Sequence, residues 1–508
     1  MSKNLLLTLG HNSSAVLVDG DNVICGYEEE RLSKVKSDSA FPRLAIMKCL
    51  EENFCESLDT IYISYWNDDF TIFDADSKVV DKHFDRKFLN TLCKQYGAHI
   101  QYLSEKLTHH DAHAYAALNF FENHATAEDK EKDFHVIVSD GFGNKEEVTT
   151  VYHRKSDGSL EVVQKVRDYF ISVGLMYQYA TSFCGMKENE DEYKFLGYES
   201  HIDEVLPQDK IELLYKYSNA FVEAYLKRLE FLKGDKNDNG YINVSKLKAV
   251  KEFWSNEFTN MLNIVAKGVE ISEWTKRCIV GAFIQDVIEK FVGHFLKAHN
   301  IQNVILSGGI FYNVKLNNYV MNHIPGKICV YPLCGDQGCG FGLYRYYHGT
   351  FNFKTLLIGK RNLNPTPSII NYISDKNVER FSVYNDKQQF IDKIVELLRK
   401  DAIVNVMTGN LEFGPRALCS TTTFAQPSEH NFKYINKLNG RNAVMPFAPV
   451  ILERNAEKYF GEEQIDRIIG SNNYMIITMN HLKEGERTQS YTGILHKYPL
   501  KNVYSSRC

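Results

Sequence analysis

His109 and His113 lie four residues apart in Thr108-His109-His110-Asp111-Ala112-His113-Ala114. On a helix that spacing puts both imidazoles on one face. Ala112, Ala114, Ala116, Ala117 and Leu118 around them favour helix. Paired histidines of this kind supply half of a metal site. Packed or solvated histidines show the same spacing, so the pair needs oxygen ligands beside it before it means metal. Two aspartates in glycine-rich turns could provide them, because glycine lets the backbone approach a charged ligand. Asp140 follows the apolar run Val136-Ile137-Val138-Ser139 and precedes Gly141-Phe142-Gly143, and Asp336 stands in Gly335-Asp336-Gln337-Gly338-Cys339-Gly340. Two histidines and two aspartates suit a borderline-to-hard divalent ion, iron or manganese, with zinc as an alternative.

The chain has 508 residues, enough for two to four domains with cores of their own. Its 59 basic and 64 acidic residues leave a net charge of −5, which excludes a global basic field for nucleic acid but not a local groove. No basic-then-apolar leader opens it, and no run of about 18 apolar residues offers a membrane span. Eleven cysteines lack a disulfide framework, and Cys329, Cys334 and Cys339 lack metal-site spacing. They read as reduced thiols of a cytoplasmic protein.

The elements that must carry these groups follow a repeated grammar. Leu5–Leu9 is expected as a strand, Gly10-His11-Asn12-Ser13-Ser14 as a turn, and Ala15–Val18 as a strand. Asp19-Gly20-Asp21-Asn22 is a hairpin turn and Val23–Tyr27 a third strand. The pattern returns at Phe134–Ser139, Val148–His153 and Leu160–Val163, with turns at Asp140–Asn144 and Ser156-Asp157-Gly158. Residues 203–300 should be mainly helical, and the lysines from Lys227 to Lys251 read as a solvated face. Val280–His299 leads to a strand, a Ser307-Gly308-Gly309 turn and a helix, a phosphate- or nucleoside-contacting design. Such a duplication of strand, glycine turn, strand resembles the ATPase fold of actin, sugar kinases and heat-shock chaperones. There each first turn faces a nucleotide cleft, and turns rich in backbone N–H groups can cradle phosphate. Proline and glycine between Tyr347 and Ser368 mark a boundary. Beyond it come an amphipathic helix at Gln388–Lys400, a strand at Ala402–Met407, and a loop with Arg416. Arg441 precedes a rigid Pro446-Phe447-Ala448-Pro449. Isolated arginines in such surroundings suit an anion clamp.

Together these motifs resemble a family. Gly10-His11-Asn12-Ser13-Ser14-Ala15, Glu29-Glu30-Arg31-Leu32-Ser33 with Lys36, the His109/His113 block and Asp140-Gly141 open an ordered set. Leu306-Ser307-Gly308-Gly309 with Asn313, Gly335-Asp336-Gln337-Gly338, and Glu412-Phe413-Gly414-Pro415-Arg416-Ala417-Leu418 complete it. Gly174, Tyr177, Thr181, Glu192, Lys194 and Gly197 fit the same pattern. The set resembles the O-carbamoyltransferases of nodulation-factor and antibiotic biosynthesis from the N-terminus to about Pro449. The resemblance implies an α/β chain: a duplicated ATPase (ribonuclease H-like) fold over residues 1–350, a linker over 351–368, and a smaller α/β YrdC-like domain over 369–508. It implies that carbamoyl phosphate and ATP give carbamoyl-adenylate in the second domain. The first domain then transfers the carbamoyl group to an acceptor hydroxyl with an iron ion. His11 would be general base. His109, His113, Asp140 and Asp336 would hold Fe2+, with Mn2+ or Zn2+ as alternatives. Lys36, Gly141, Gly308, Gly309, Asn313 and Gly335 would contact the nucleotide, and Arg416 and Arg441 would bind carbamoyl phosphate.

There are departures. The usual arginine before Pro-Phe-Ala-Pro is Met445, and Asn439 and Asn442 replace a lysine and a glutamate. An Asn-Thr-Ser-Phe-Asn stretch expected near the end is missing, which points to a shortened second domain or to a partner polypeptide that completes it. A homodimer is compatible with the sequence. The Lys-, Asn-, Tyr- and Phe-rich composition leans toward a phage enzyme in the host cytoplasm. Its acceptor would be a 5-hydroxymethylpyrimidine such as 5-hydroxymethylcytosine in DNA, which requires a basic groove. The alternatives are a sugar or antibiotic hydroxyl, a tRNA threonylcarbamoyladenosine-type transferase, and a non-catalytic nucleotide-binding partner subunit.

Overall fold

The computed structural model describes residues 3–10, 12–65, 84–104, 106–155, 157–231, 244–361, 386–438, 447–448, 450–451, 453–480, 502–504 and 506–507. His11, Arg441 and Met445 lie outside them.

Leu5, Leu6 and Leu7 are buried on both faces of β1 (Lys3–Thr8), as expected for a central strand. It pairs antiparallel with β2 (Ser14–Asp19), which pairs antiparallel with β3 (Asn22–Glu28) through the turn at Gly20. On its other side β1 runs parallel to β4 (Thr60–Ile63), and β4 parallel to β5 (His99–Tyr102). The order is β3-β2-β1-β4-β5. The second sheet repeats it. β6 (Phe134–Ser139), β7 (Glu147–Arg154) and β8 (Leu160–Arg167) form an antiparallel meander, and β9 (Val304–Ser307) and β10 (Ile328–Val330) add in parallel, giving β10-β9-β6-β7-β8. Identical order and orientation in both sheets is the duplicated ATPase fold.

Between the sheets lie the histidine helix (His109–His124) and the closing helix (Cys339–His348). Ala112, Ala116, Ala117 and Leu118 share one core with Leu6, Val16 and Val18 of the first sheet and Val136, Val138 and Ile305 of the second. The two helices touch backbone to backbone. A Cβ at Gly342 would stand 1.7 Å from the Ala112 carbonyl oxygen. That glycine lets the chain carrying Asp336 close onto the chain carrying the histidines. The outer face of the second sheet is covered by the helix Glu273–Ala298, broader than the expected 280–299. Its Val280, Ile284, Val287, Ile288 and Phe291 pack on Val304, Leu306 and Ile328.

The packing changes at a different place from the expected 351–368 linker. Phe351, Phe353, Leu356 and Ile358 are buried, and Gly26 N–H donates to the Ile358 carbonyl at 3.2 Å. Residues 351–361 therefore lie along the edge of β3. The rest of the expected linker falls outside the described residues. Within 386–438 the chain forms the helix Lys387–Arg399, an antiparallel pair β11 (Val404–Met407) with β12 (Thr421–Phe424), and the helix Glu429–Leu438. Residues 453–480, within the expected second domain, return to the second sheet. Ile469 N–H donates to the Ile328 carbonyl at 2.8 Å and Asn317 Nδ2 to the Ile476 carbonyl at 2.6 Å. Phe460, Ile465, Ile468, Ile476 and Ile477 need an apolar face, and the edge beside β10 provides it.

Replacing Gly342 with Ala should lower stability by about 1–3 kcal/mol despite the better helix propensity, because the displaced neighbour is backbone. Thermal melting of the two proteins measures this, and an unchanged midpoint would show that the two helices are free to separate.

Candidate metal and transfer site

The site forms where the histidine helix meets three loops at the ends of strands. Thr108 starts that helix with a capping box: its side chain accepts from Asp111 N–H, and Asp111 Oδ2 accepts from Thr108 N–H at 2.8 Å. The other Asp111 oxygen accepts from Tyr152 OH at 2.8 Å. Asn144 Oδ1 accepts from His109 N–H at 2.7 Å. The first turn is thus fixed before any ligand arrives. Asp111 is structural although it sits between the histidines, and the Thr-x-x-Asp signature was readable in the sequence. His110 is also structural, buried with Nδ1 2.8 Å from Thr150 Oγ1.

Asp140 ends β6. Its Oδ1 accepts from Gly141 N–H at 2.8 Å and from Gly309 N–H at 3.2 Å, which leaves Oδ2 for the histidines. Close crossings explain the glycines around it. A Cβ on Gly174 would lie 2.7 Å from the Asp140 carbonyl, one on Gly309 2.7 Å from Asp140 Oδ1, and one on Gly308 2.1 Å from the Ser139 carbonyl oxygen. Gly308 also has φ +99°, open to glycine at little cost. Asp336 begins the turn before the closing helix, and its carbonyl accepts from Thr8 Oγ1 at 3.4 Å.

The four expected ligands converge. His109 Nε2 lies 3.1 Å from Asp140 Oδ2, 3.2 Å from His113 Nε2 and 3.4 Å from Asp336 Oδ1. His113 Nε2 lies 3.4 Å from Asp140 Oδ2 and 3.6 Å from Asp336 Oδ1. Donor atoms spaced in this way fit ligands about 2.0–2.2 Å from one shared divalent ion, the usual bond length to imidazole and carboxylate. A fifth group was missed in the sequence: Cys339 Sγ and the donors of His109, His113 and Asp336 all lie within 4.8 Å of one another. Cys339 lies three residues past Asp336, on the first turn of the closing helix, and nothing in the cysteine spacing marks it.

The charges are strongly coupled. Burial works against a proton on His109, but Asp336 and Asp140 outweigh it and lift the imidazole to about 10. Burial likewise opposes ionisation of Asp140 and Asp336, and the two histidines overcome it and hold both carboxyls below the usual range. Burial, with the same two carboxylates, pushes the Cys339 thiol up.

Other expected contacts are placed differently. Lys36 Nζ is exposed and donates to the Glu190 carbonyl at 3.2 Å and to Tyr193 OH at 3.3 Å. Asn313 caps the helix Val314–His323: its Oδ1 accepts from Lys315 and Leu316 N–H, and its Nδ2 donates to Gln285 at 2.8 Å. Its side chain serves structure in this arrangement. A Cβ on Gly335 would meet Gln337 Oε1 and the Tyr312 ring. Arg416 donates to the Tyr312 carbonyl at 3.2 Å, within the first unit. Of the lysines between Lys227 and Lys251, Lys246 pairs with Glu146 and Asp168, and Lys251 with Glu188.

His109→Ala or Asp336→Ala should each remove a ligand and lower divalent-metal affinity at least about a hundredfold, which equilibrium dialysis with metal analysis reads directly. His109, lifted to about 10, carries a proton at pH 7.5 in the metal-free protein, and a bound metal requires the neutral ring. Metal binding at pH 7.5 should therefore release about one proton, seen as a dependence of calorimetric heat on the buffer's ionisation enthalpy; heats independent of buffer would contradict it.

Among the described residues no helix is long and apolar enough to cross a membrane. In comparisons with known proteins, the carbamoyltransferase N-terminus family model matches residues 5–343 and the carbamoyltransferase C-terminus model residues 395–498. The uncharacterized protein MJ1051 of Methanocaldococcus jannaschii is 27% identical over 455 residues, 87% of this chain and 77% of its own. Nodulation protein NolNO of Sinorhizobium fredii is 24% identical over 489 residues, covering 90% of this chain and 65% of its own. Among solved structures, a ROK family glucokinase from Streptomyces griseus aligns over 67% of this chain and 98% of its own, at 10% identity and a TM-score of 0.28. Full-length HypF in its phosphate- and nucleotide-bound form aligns over 67% and 54%, at 13% identity and a TM-score of 0.32. The fold assignment rests on the strand order, and the family on the two matched segments: this chain belongs to the carbamoyltransferase family and is a carbamoyl-transferring enzyme.

Proposed function

We propose that the chain is an ATP-dependent O-carbamoyltransferase acting through carbamoyl-adenylate. The observation that carries this reading is the meeting of His109 and His113, on the helix between the sheets, with Asp140 and Asp336, in glycine turns that follow two strands of the second sheet. In the proposed sequence carbamoyl phosphate, water and ATP yield carbamoyl-adenylate, phosphate and pyrophosphate. The acceptor oxygen then attacks the carbamoyl carbon, the bond from that carbon to the AMP oxygen breaks, and AMP leaves. The hydroxyl proton goes to a base, and His11 is the candidate, since an imidazole titrates near neutral pH. It lies outside the described residues. Its neighbours Gly10 (φ +91°) and Asn12 (φ +63°) bend the chain after β1, at the end of the sheet where Thr8 touches Asp336.

The two His and two Asp would hold the ion, Fe2+ with Mn2+ or Zn2+ as alternatives, and when bound it supplies Lewis-acid polarisation of a carbamoyl or phosphate oxygen. The chain's own groups do the rest. Backbone N–H groups at Gly141 and Gly309 orient Asp140, and the turns at Gly308-Gly309 and Gly335 let a nucleotide approach the backbone. Arg416 and Arg441 supply the fixed positive charge that a small dianionic donor needs. Residues 386–438, with any segment completing them, form the adenylate-making half. The acceptor in this reading is a 5-hydroxymethylpyrimidine in DNA, with sugar and antibiotic hydroxyls next.

The test is a mass-spectrometric screen with carbamoyl phosphate, ATP and Fe2+. Acceptors would include 5-hydroxymethylcytosine DNA, unmodified DNA and sugar hydroxyls. One added carbamoyl unit on the hydroxymethylated DNA alone is the expected result. A product on a sugar would correct the acceptor, and no product with pyrophosphate still released would separate adenylate formation from transfer.

A further inference from the structure

Cys339 begins the closing helix three residues after Asp336, and its side chain is fully buried. A buried cysteine is most often a small apolar residue that fills space. Two observations set this one apart. The first is what its sulfur bonds to. The buried thiols of Cys49, Cys55 and Cys334 donate to the backbone carbonyls of Ala15, Ser57 and Tyr331, at 3.5, 3.3 and 2.8 Å. Cys339 Sγ has no hydrogen-bond partner among the described residues. The second is where it points. The sulfur and the donor atoms of His109, His113 and Asp336 all lie within 4.8 Å of one another. Two ligands of one ion, each at about 2.0–2.3 Å, stand at most about 4.4 Å apart, so the sulfur is within a few tenths of an ångström of ligating range.

Packing holds it there. A Cβ on Gly338 would stand 2.3 Å from the Leu333 carbonyl oxygen, and one on Gly340 3.3 Å from Leu6 Cβ. One turn further, Gly342 presses on the backbone of the histidine helix at Ala112. The turn that carries Cys339 is thus wedged on three sides, and the sulfur cannot swing away from the imidazoles without moving backbone.

Sulfur changes what such a site selects. Imidazole and carboxylate donors accept hard and borderline ions alike. A thiolate adds little for Mn2+ or Mg2+ and much for Zn2+, Co2+ or Cd2+, with Fe2+ between them. We propose that Cys339 is a fifth ligand of this site and the residue that sets its ion preference. Softer divalent ions draw the sulfur in, and Mn2+ binds through the four nitrogen and oxygen donors alone. On ligation the S–H bond gives way to a sulfur–metal bond, and the proton passes to the buffer. The inference rests on the metal reading of His109, His113, Asp140 and Asp336, and adds the sulfur and the selectivity to it.

The experiment uses the reduced, metal-free full chain with Co2+, Cd2+ and Mn2+ as probes. One equivalent of Co2+ should give visible d–d bands together with a near-ultraviolet sulfur-to-cobalt charge-transfer band. Cys339→Ala and Cys339→Ser should keep the d–d bands and lose the charge-transfer band. In calorimetry Cys339→Ala should weaken Cd2+ at least about tenfold while Mn2+ changes by less than about twofold. Mn2+ should release only the proton of His109, and Cd2+ one proton more, which Cys339→Ala abolishes. His113→Ala, which lacks a nitrogen ligand, should weaken both ions, so a general loss of the site is told apart from the loss of sulfur. Three results would overturn the inference: d–d bands without charge transfer in the wild type, a charge-transfer band that survives in Cys339→Ala because another thiol makes it, or an unchanged Cd2+ to Mn2+ affinity ratio. In each of these the four-donor site still stands. Absence of any Co2+ band in the wild type would instead remove the metal reading itself, and the fifth ligand with it.

Discussion

Two carboxylates that share the same two imidazoles define this molecule. Asp140 and Asp336 follow two strands of the second sheet, β6 and β10, and both are drawn to His109 and His113 within 3.6 Å. Like charges in a poorly solvated cleft are tolerated only if opposite charge is built in. Here a proton on His109 supplies it, or a bound cation does. That electrostatic requirement explains why so much nearby backbone is committed. Gly141 and Gly309 N–H groups hold one Asp140 oxygen, the capping box holds the start of the histidine helix, and Thr8 holds the Asp336 backbone. A site with this much uncompensated charge would drift apart unless each donor had its own anchor.

Duplication supplies the anchors. In each half the first strand delivers a glycine turn to one end of the sheet, and the parallel strands deliver the next loops to the same end. The histidine helix and the closing helix fill the space between the halves, with Gly342 and Ala112 in backbone contact. Distance between ligands is therefore set by how closely two helices can pack, and helix packing is far stiffer than a loop. The alanines around His113 and the glycines after Asp336 read as propensity and turn signals in the sequence. In the fold they are contact residues that bring the four donors together.

The antiparallel strands of each half, their repeat and the four donors were legible because each has a local signature: alternating apolar runs, hairpin turns, an i, i+4 histidine pair, and glycine-framed aspartates. What stayed hidden depends on partners remote in sequence. Asn313 and Lys36 look like ligand contacts in their motifs, but Asn313 caps a helix and Lys36 rests on Glu190 and Tyr193. Cys339 joins the donor cluster only because the closing helix begins there. The boundary expected between Tyr347 and Ser368 rested on proline and glycine. Yet Phe351, Phe353, Leu356 and Ile358 belong to the first core, and residues 453–480 complete the second sheet's edge. Composition marks where a chain can bend and says nothing about which surface it then covers.

The two motifs that looked most independent illustrate the same point. Glu29-Glu30-Arg31-Leu32-Ser33 and Glu412-Phe413-Gly414-Pro415-Arg416 are almost four hundred residues apart. Read singly, the first is a charged surface stretch and the second an anion loop. In the fold Arg31, with Glu28 beside it, holds the peptide of Gly414, and glycine is needed there both for φ +105° and for the approach to Leu333. A side chain at 414 or a neutral residue at 31 would loosen the same joint, so the two stretches form one structural unit. Burial of Glu28 raises its carboxyl to about 7, against the pull of Arg31, so this joint is held by a group that keeps its acceptor oxygen in either protonation state. A carboxyl-terminal arm fixed in this way cannot act as a free domain on a tether. Its Arg416 is held against the other half, where the guanidinium donates to the Tyr312 carbonyl at 3.2 Å.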